Sequence, residues 1–226
     1  MKLVTTREAA ERLGVSDVAV RKMLTTGRLT GAGRAGRTLL IDPASLQRAV
    51  DAGRHAGRLW SPKTAWAALY LLSGEAAPWI GSAERYRLRR RLRELGPGDV
   101  HQLARNRAAV KRYRATPTAV DRLHQGLILT GGSAMRDEAM AARFGLSGGG
   151  GFIEGYATAG DGARFAAALG MMEDPAGNTI IREAALTEPF ASRRTPVAAV
   201  AVDLMDSLAT RERSAGTRVI EELLND

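Results

Sequence analysis

Residues 3–41 read LVTTREAAERLGVSDVAVRKMLTTGRLTGAGRAGRTLLI, and they predict two short helices followed by a hairpin. Thr6 is expected to cap the first helix, because a threonine hydroxyl accepts a hydrogen bond from a free N–H group of the first turn. Gly14 is expected to end this helix in the left-handed conformation. The apolar residues between them share one face by helical spacing: Ala9, Ala10 and Leu13.

A second helix is expected to begin at Asp17, with Ser16 as its cap and Val15 burying the turn before it. Its inward residues are predicted to be Val18 or Ala19, then Val20, Met23 and Leu24. Its outward residues are predicted to be Ser16, Asp17, Arg21 and Lys22. Two short helices joined by a glycine turn predict a helix-turn-helix, whose second helix can enter the major groove of DNA.

The segment Thr30 to Ile41 predicts two short strands around Gly31, Gly33 and Gly36. Arginines at such a hairpin, or wing, can reach phosphates or a minor groove. Asp42-Pro43 then opens a third helix with Leu46 and Val50 on its inner face. The candidate DNA contacts of the whole module are Thr6, Ser16, Asp17, Ala19, Arg21, Lys22, Arg28, Arg34 and Arg37.

The segments TTREAAERLGVS and IDPASLQRAV, with the basic second helix and the GR-containing wing between them, resemble a known family. Over residues 3–52 the chain is similar to the winged helix-turn-helix of the excisionase and MerR type. The wing departs from that pattern because it lacks the aromatic residue often found after GR. The resemblance implies binding to double-stranded DNA. Asp17 faces the same way as Arg21, and it either accepts from a cytosine amine or stabilises the helix N-terminus.

The two halves of the chain differ in net charge. The net charge is +9, but residues 1–115 hold 23 Lys and Arg against 9 Asp and Glu, whereas residues 116–226 hold 10 against 15. A basic front half indicates a polyanionic partner. The chain has no cysteine, which excludes disulfides and thiolate chemistry, and no signal region or membrane-length apolar stretch. We therefore expect a cytoplasmic protein with no membrane partner.

An arginine-rich segment, SAERYRLRRRLREL at 82–95, predicts a helix capped by Ser82, with Tyr86 or Leu88 facing inward together with Leu92 and Leu95. Two interpretations of its arginines stay open. They can form a solvated helix face whose stems cover apolar neighbours. They can also make a second contact to the DNA backbone, which adds affinity without sequence information. Under the second interpretation the contacts are Arg87, Arg90 and Arg91.

The domains are predicted as a winged helix-turn-helix at 1–52, a linker at 53–58 and an α+β domain at 59–226. That last domain divides into a basic helical part, 59–115, and a mildly acidic α+β part, 116–226. Within the basic part, DVHQLARNRAAVKRYRA at 99–115 predicts a helix. Short β-branched runs after Leu127 predict strands, residues 174–178 predict a hairpin-type turn, and two helices close the chain. The fold class is therefore helix-rich α+β.

Several segments of residues 59–224 carry a second resemblance: LWSPKTAW, RAAVKRYRATPTAVDRL, GNTIIREA and VAVDLMDSLATRERSAGTRVIEELL. They are similar to actinobacterial regulators that carry a type IV antitoxin (AbiEi) domain after a helix-turn-helix. The resemblance implies binding to the protein's own promoter and neutralisation of a nucleotidyltransferase-like toxin. It supplies no individual site residue.

No motif indicates catalysis, a cofactor or a metal. Gly148–Gly151 lacks the ending of a P-loop, and Gly131-Gly132-Ser133 lacks the spacing of a nucleophile elbow, so both are interpreted as loops. The histidines His55, His101 and His124 are scattered, without metal-ligand spacing. Asp203 and Asp206 lie three apart on one predicted helix and are interpreted as an exposed helix edge. The expectation is a protein that is not an enzyme.

Three functions remain. The first is a sequence-specific repressor and autoregulating antitoxin, with operator DNA and a cognate toxin as partners. The second is an excisionase-like factor that bends DNA for a recombinase, although some 165 residues beyond the winged domain then lack a role. The third is a regulator whose C-terminal domain binds a small molecule. A monomer and a homodimer both fit, since no sustained heptad run follows residue 52.

Overall fold

The computed structural model describes residues 3–25, 29–36, 38–54, 58–148 and 151–226. The chain separates into two compact units, Met1–Gly57 and Arg58–Asp226, each with its own core. The units are called the N-terminal unit and the C-terminal unit below, and each is described by itself.

The N-terminal unit is a three-helix fold with a small antiparallel sheet. Its elements are β1 (Val4–Thr5), α1 (Thr6–Leu13), α2 (Asp17–Thr25), β2 (Gly31–Ala35), β3 (Thr38–Ile41) and α3 (Pro43–Arg54). The sheet has the order β1-β3-β2, in which β2 and β3 form the predicted wing hairpin. The predicted helix-turn-helix, wing and third helix are therefore confirmed.

The first helix is capped one residue earlier than expected. The Thr5 hydroxyl accepts from the Glu8 N–H at 3.3 Å, and the Glu8 carboxylate accepts from the Thr5 N–H at 2.8 Å. This reciprocal pair satisfies two N–H groups that a helix start otherwise leaves without partners. Thr6 is thus the first helical residue, and its side chain is buried. Gly14 ends the helix with φ of 64°, as predicted.

A small apolar core joins the three helices to the sheet, with Ala9, Val20, Ile41 and Leu46 among its buried residues. Of the two alternatives on α2, Ala19 is the partly buried residue, because Val18 is 74 % exposed. Val15 is also exposed, so the expectation that it buries the turn is wrong. The turn is held by a backbone hydrogen bond, in which the Val15 N–H donates to the carbonyl of Ala10.

The helix α3 extends to Arg54, past the start of the predicted linker. Its first turn is held by the Ser45 N–H, which donates to the Asp42 carboxylate at 2.9 Å. The Ser45 hydroxyl in turn accepts from the Thr30 N–H at 2.7 Å and ties the helix to the start of the wing. Residues 55–57 of the predicted linker lie outside the described residues.

The C-terminal unit mixes helices with one sheet. Its elements are α4 (Pro62–Leu72), α5 (Ser82–Leu92), α6 (Pro97–Leu103), β4 (Ala109–Arg114), α7 (Pro117–Gly126), β5 (Ile128–Leu129), α8 (Glu138–Phe144), β6 (Ile153–Thr158), α9 (Asp161–Ala168), β7 (Met172–Glu173), β8 (Thr179–Ala184), α10 (Val197–Met205) and α11 (Thr210–Asn225). Short 3₁₀ turns lie at Ala104–Arg107, Gly131–Arg136 and Glu188–Phe190. With the N-terminal helix-turn-helix, this confirms the helix-rich α+β class.

The predicted helix at 99–115 is wrong in its second half. The helix α6 ends at Leu103, and after a 3₁₀ turn the chain continues as β4. β4 pairs antiparallel with β8 from Ala109 opposite Glu183 to Tyr113 opposite Thr179. Pairing with a distant strand, together with burial of the Tyr113 ring, outweighs the helical tendency of the alanines and basic residues. The region 59–115 is therefore not wholly helical.

The sheet order is β5-β6-β8-β4-β7, and β6 and β8 form a parallel pair at its centre. β4 lies between β7 and β8, so residues 174–178 do not close a hairpin as predicted. One face of the sheet packs against α7 and α9 through residues such as Ile153, Ile181 and Tyr113. The opposite face turns towards the larger helical core.

That larger core is built around α4, α10 and α11, with Trp66, Leu69, Val200, Leu204 and Ile220 fully or almost fully buried. The first helix of this core, α4, begins with Pro62 and is capped by the Ser61 hydroxyl, which accepts from the Thr64 N–H at 3.2 Å.

The arginine-rich helix α5 contacts this core through Leu88 and Leu92, which are buried. Tyr86 is 72 % exposed, so of the two alternatives Leu88 is the inward residue. Gly81, not Ser82, is the cap of this helix. Among the described residues, no helix combines the length and the apolar character that crossing a bilayer requires.

The helices α10 and α11 are in close contact at Gly216. A Cβ placed there would lie 2.4 Å from the Ala201 carbonyl oxygen and 3.1 Å from the Leu204 Cβ. We expect Gly216→Ala to lower the free energy of unfolding by about 1–2 kcal/mol, because overpacking outweighs the helix propensity that alanine adds. Urea denaturation of the full chain measures the change.

The matched control is Gly81→Ala, since a Cβ at Gly81 meets nothing within 4 Å and its φ is −69°. We expect it to cost less than Gly216→Ala. Equal effects of the two substitutions would show that close helix packing at Gly216 does not govern stability.

Candidate nucleic-acid interface and charged pocket

The helix α2 presents a polar face to solvent. Asp17, Arg21 and Lys22 are exposed along it, and Ser16 lies exposed at its start. The Ser16 hydroxyl accepts from the Ala19 N–H at 3.3 Å, which confirms Ser16 as the cap. The exposed Val18 adds an apolar methyl surface to the same helix, of the kind that contacts thymine methyl groups.

The other predicted contacts of the N-terminal unit are placed differently. Thr6 is buried and Ala19 is partly buried, so they offer little surface to a duplex. The backbone of Arg34 lies in β2 opposite Leu39. Arg28 and Arg37 lie outside the described residues, so their predicted roles remain predictions.

The arginines of α5 form an exposed group in the C-terminal unit: Arg87, Arg89, Arg90 and Arg91, with Arg93 just beyond the helix. The Arg91 guanidinium lies 6.0 Å from the centroid of the Trp60 ring, consistent with a cation–π contact. Arg85 differs from the others because it is partly buried and donates to the carbonyls of Ala77 and Ile80. The exposed members are available to an anionic partner.

The C-terminal unit also contains a buried charge cluster that sequence reasoning missed. The sequence predicts that Asp203 and Asp206 lie on an exposed helix edge; this is wrong for Asp203 on α10, which is 1 % exposed, whereas Asp206 is exposed. The Oδ1 of Asp203 accepts from Arg107 Nε and from the Tyr156 hydroxyl, both at 3.0 Å, and its Oδ2 accepts from the Thr130 hydroxyl. The charge of Asp203 is thus fully surrounded by donors, as a buried carboxylate requires.

Asp206, one turn further along the chain, lies at the edge of the same cluster. It accepts from Arg107 Nη2 at 2.8 Å, from Arg182 Nη1 at 3.0 Å and from His101 Nε2 at 2.7 Å. Burial alone would raise the pKa of Asp206, but the His101 hydrogen bond and the two guanidinium groups hold that pKa well below its usual range.

Glu154 on β6 is the third carboxylate of the cluster, and it is 6 % exposed. Its Oε1 accepts from Arg182 Nε at 2.7 Å and lies 2.6 Å from Arg182 Nη2. Burial raises its pKa to about 7, since the opposing attraction of Arg182 is partly cancelled by the negative charge of Asp203. Glu154 is therefore a buried carboxyl group that titrates near neutral pH.

These groups lie at the floor of a pocket of about 610 Å³. One wall is supplied by alternate residues of β4 and β8 and of β6 with the segment that leads into it: Val110 and Arg112, Ile180 and Arg182, Phe152 and Glu154. The turn Gly132-Ser133 and the connection between α10 and α11 supply the other. Gly132, interpreted from the sequence as part of a loop, thus lines this pocket, and Gly131 lies against Glu154.

The sequence did contain one signal for this cluster. Asp203 is the single charged residue of VAAVAVDLM, the segment 197–205, and a lone charge in a wholly apolar helix needs a buried partner. Its partners could not be named because Arg107 lies 96 residues away. Of the histidines, His101 binds Asp206, His124 has ring nitrogens without hydrogen-bond partners among the described residues, and His55 lies outside them.

Among the residues that the structure describes, no group of three or more His, Cys, Asp or Glu is arranged to hold a metal ion. The two carboxylates Asp203 and Asp206 are already engaged by arginines rather than facing each other across an open site. The arrangement can bind and orient a charged or hydrogen-bonding group at the pocket floor.

Comparison with known proteins gives one match. Residues 3–54 match a family model described as a helix-turn-helix domain. Searches among curated proteins and among solved structures each found no match. The matched segment coincides with the helices and wing of the N-terminal unit, and such a domain indicates a DNA-binding regulator.

We expect Asp203→Ala to lower the free energy of unfolding by about 3–5 kcal/mol, because Arg107, Thr130 and Tyr156 lose the buried carboxylate that accepts their hydrogen bonds. Chemical denaturation of the full chain measures the loss. The matched control is Glu173→Ala, which removes a carboxylate from an exposed pair with Lys111 and should change stability little. Similar losses for both variants would contradict a structural role for the buried cluster.

Proposed function

We propose that this chain is a sequence-specific DNA-binding repressor that reads its operator with α2 and the wing. The observation that carries the proposal is the exposed polar face of α2 within a matched helix-turn-helix domain. The inner face of the same helix is used by the core through Val20. The outer face is therefore the part of α2 that can enter a major groove.

Within this proposal, Arg21 and Lys22 contact base edges or phosphates, and Ser16 contacts the backbone near the helix start. An arginine at a guanine edge is worth about 1–3 kcal/mol of discrimination. Asp17 lies in the first turn of α2, where a carboxylate also stabilises the helix dipole. We assign the wing a minor-groove or phosphate role through Arg34 and Arg37.

We further propose that the exposed arginines of α5 contact the DNA backbone. Phosphate contacts add affinity that falls with salt and does not depend on sequence. This role is supported by the strongly basic front half of the chain and by the exposure of Arg87, Arg90 and Arg91. Contacts from α5 should therefore strengthen binding to any duplex in a salt-dependent way, whereas contacts from α2 should depend on the DNA sequence.

The first test is binding of the full chain to its own upstream DNA and to a scrambled duplex across a salt series. We expect Arg21→Ala to weaken binding to upstream DNA by about 1–3 kcal/mol and to leave the scrambled duplex less affected. Arg122→Ala, at an exposed arginine on α7, is the matched control and should bind like the unmodified chain.

A triple variant, Arg87→Ala with Arg90→Ala and Arg91→Ala, separates the two kinds of contact. It should weaken binding to both duplexes alike and flatten the logarithmic salt slope by roughly 2–3. Equal affinity of the unmodified chain for both duplexes would refute the repressor proposal and favour the excisionase-like alternative, in which the protein bends DNA for a recombinase.

We also propose that the chain is an antitoxin that acts by binding a nucleotidyltransferase-like toxin, without catalysis of its own. The support is the resemblance of residues 59–224 to AbiEi-type regulators. We expect co-expression of the chain to restore growth of cells that are arrested by a nucleotidyltransferase-like protein encoded beside its gene. Growth is measured with and without induction of each protein.

The Arg21→Ala variant is the control here, because it should retain neutralisation while it binds the operator more weakly. Persistent growth arrest in the presence of the unmodified, folded chain would eliminate the antitoxin role. It would leave the DNA-binding proposal unaffected.

A further inference from the structure

The charged pocket of the C-terminal unit has the size of a small-molecule site. Its volume of about 610 Å³ lies within the range of known ligand pockets. Its rim is partly apolar, with Phe152, the exposed Val110 and the exposed Leu208, and its floor is charged. Such a combination suits a ligand with an apolar body and one polar head group.

Ion pairs engage the buried charged groups at the pocket floor, but one oxygen of Glu154 takes part in none of them. Arg107 and Arg182 are both engaged by Asp203 and Asp206, and Arg182 also holds Glu154 through Oε1. Glu154 Oε2 accepts no hydrogen bond from any residue that the structure describes. A carboxyl group that is more than nine-tenths buried therefore presents one oxygen without a protein donor at the pocket floor.

Two glycines keep this end of the pocket open. A Cβ on Gly131 would lie 2.3 Å from Glu154 Oε2, and a Cβ on Gly132 would lie 3.2 Å from Glu212 Oε1. Gly131 also has φ of 53°, a conformation that side chains disfavour. At Gly131 and Gly132 the turn thus places backbone without a side chain against two carboxylates.

Charge decides which head group fits. The floor holds the buried carboxylates Glu154 and Asp203 and the buried guanidinium groups of Arg107 and Arg182, with the more exposed carboxylate of Asp206 at its edge. An anion beside Glu154 Oε2 would be repelled by the carboxylates of Glu154 and Asp203 in a medium of low dielectric constant, whereas a cation there would be attracted. The rim arginines Arg105 and Arg112 face solvent more freely, where their charges are screened.

We propose that this pocket binds a small molecule through a positively charged nitrogen, an ammonium or amidinium group, which donates to Glu154 Oε2. Charge-assisted hydrogen bonds of this kind are the strong ones, and they are strongest where water is excluded. The apolar body of the ligand lies against Phe152 and Ile180. This site is independent of the DNA-binding proposal, because none of its lining residues is a proposed DNA contact.

Binding of a cation should depend on pH, because the cation binds the ionised form of Glu154. With a pKa of about 7, Glu154 is ionised to about one-tenth at pH 6 and about nine-tenths at pH 8. The affinity for a cation is therefore expected to rise roughly tenfold between these pH values. The charged or titratable groups around Glu154 are Arg107, Arg182, Asp203, Asp206, Glu212, Tyr156 and, through Asp206, His101.

The test uses three ring compounds of nearly equal shape: benzamidine as the cation, benzamide as the neutral analogue and benzoate as the anion. Binding to the full chain is measured by isothermal titration calorimetry at pH 8 and pH 6. We expect benzamidine to bind at least about tenfold more tightly than benzamide at pH 8, which is the ratio that a charge-assisted hydrogen bond supplies. The ratio should shrink at pH 6.

Two variants identify the responsible group. Glu154→Gln keeps the shape and an oxygen for Arg182, and it should abolish both the preference for benzamidine and its pH dependence. His101→Gln should retain both, which assigns the pH dependence to Glu154 rather than to the histidine. Thermal melting confirms that each variant is folded, and the pH series on the unmodified chain tests the proposal even where a variant fails to fold.

Equal binding of benzamidine and benzamide at pH 8 would overturn the proposal. Tightest binding of benzoate would also overturn it, since the rim arginines would then govern the site. A preference for benzamidine that persists unchanged at pH 6 or in Glu154→Gln would equally contradict it.

Discussion

The C-terminal unit depends on one buried charge, the carboxylate of Asp203. It lies on the helix α10 and receives hydrogen bonds from groups on the 3₁₀ turn at 104–107, on β6 and on the segment before Gly131. Because an unpartnered buried carboxylate would be very unfavourable, these segments must be in place together. The helical layer and the sheet are therefore joined by electrostatics as well as by apolar contact, and the pocket forms where this junction reaches the surface.

The N-terminal unit could be predicted almost completely from the sequence. Its signals are local: a cap such as Ser16, a turn glycine such as Gly14, and apolar residues at helical spacing. Each of these acts within one or two turns, so a linear pattern contains the information. The errors are correspondingly small. The cap is Thr5 rather than Thr6, because Glu8 completes a reciprocal pair with Thr5, and Val15 is exposed instead of burying the turn.

The sequence predicts the α+β class of the C-terminal unit correctly, but it does not predict the strand β4 or the burial of Asp203. The segment 109–114 contains residues compatible with a helix, and only pairing with β8, some 65 residues later in the chain, makes it a strand. Asp203 was misplaced for the same reason, since its partners lie up to 96 residues away in sequence. The candidate site in this unit is formed entirely by such distant contacts, whereas the candidate contacts on α2 share one short helix.

The order of the sheet has a consequence for synthesis on the ribosome. Both neighbours of β4, the strands β7 and β8, follow it in the chain. β4 therefore emerges long before either partner strand exists. Its backbone N–H and C=O groups stay hydrogen-bonded to water until β8 has been synthesised. The N-terminal unit, whose strands and helices are all complete by Arg54, has no such delay. A ribosome-bound chain can thus hold a folded N-terminal unit while the edge of the later sheet is still open to chaperones or to unwanted strand pairing.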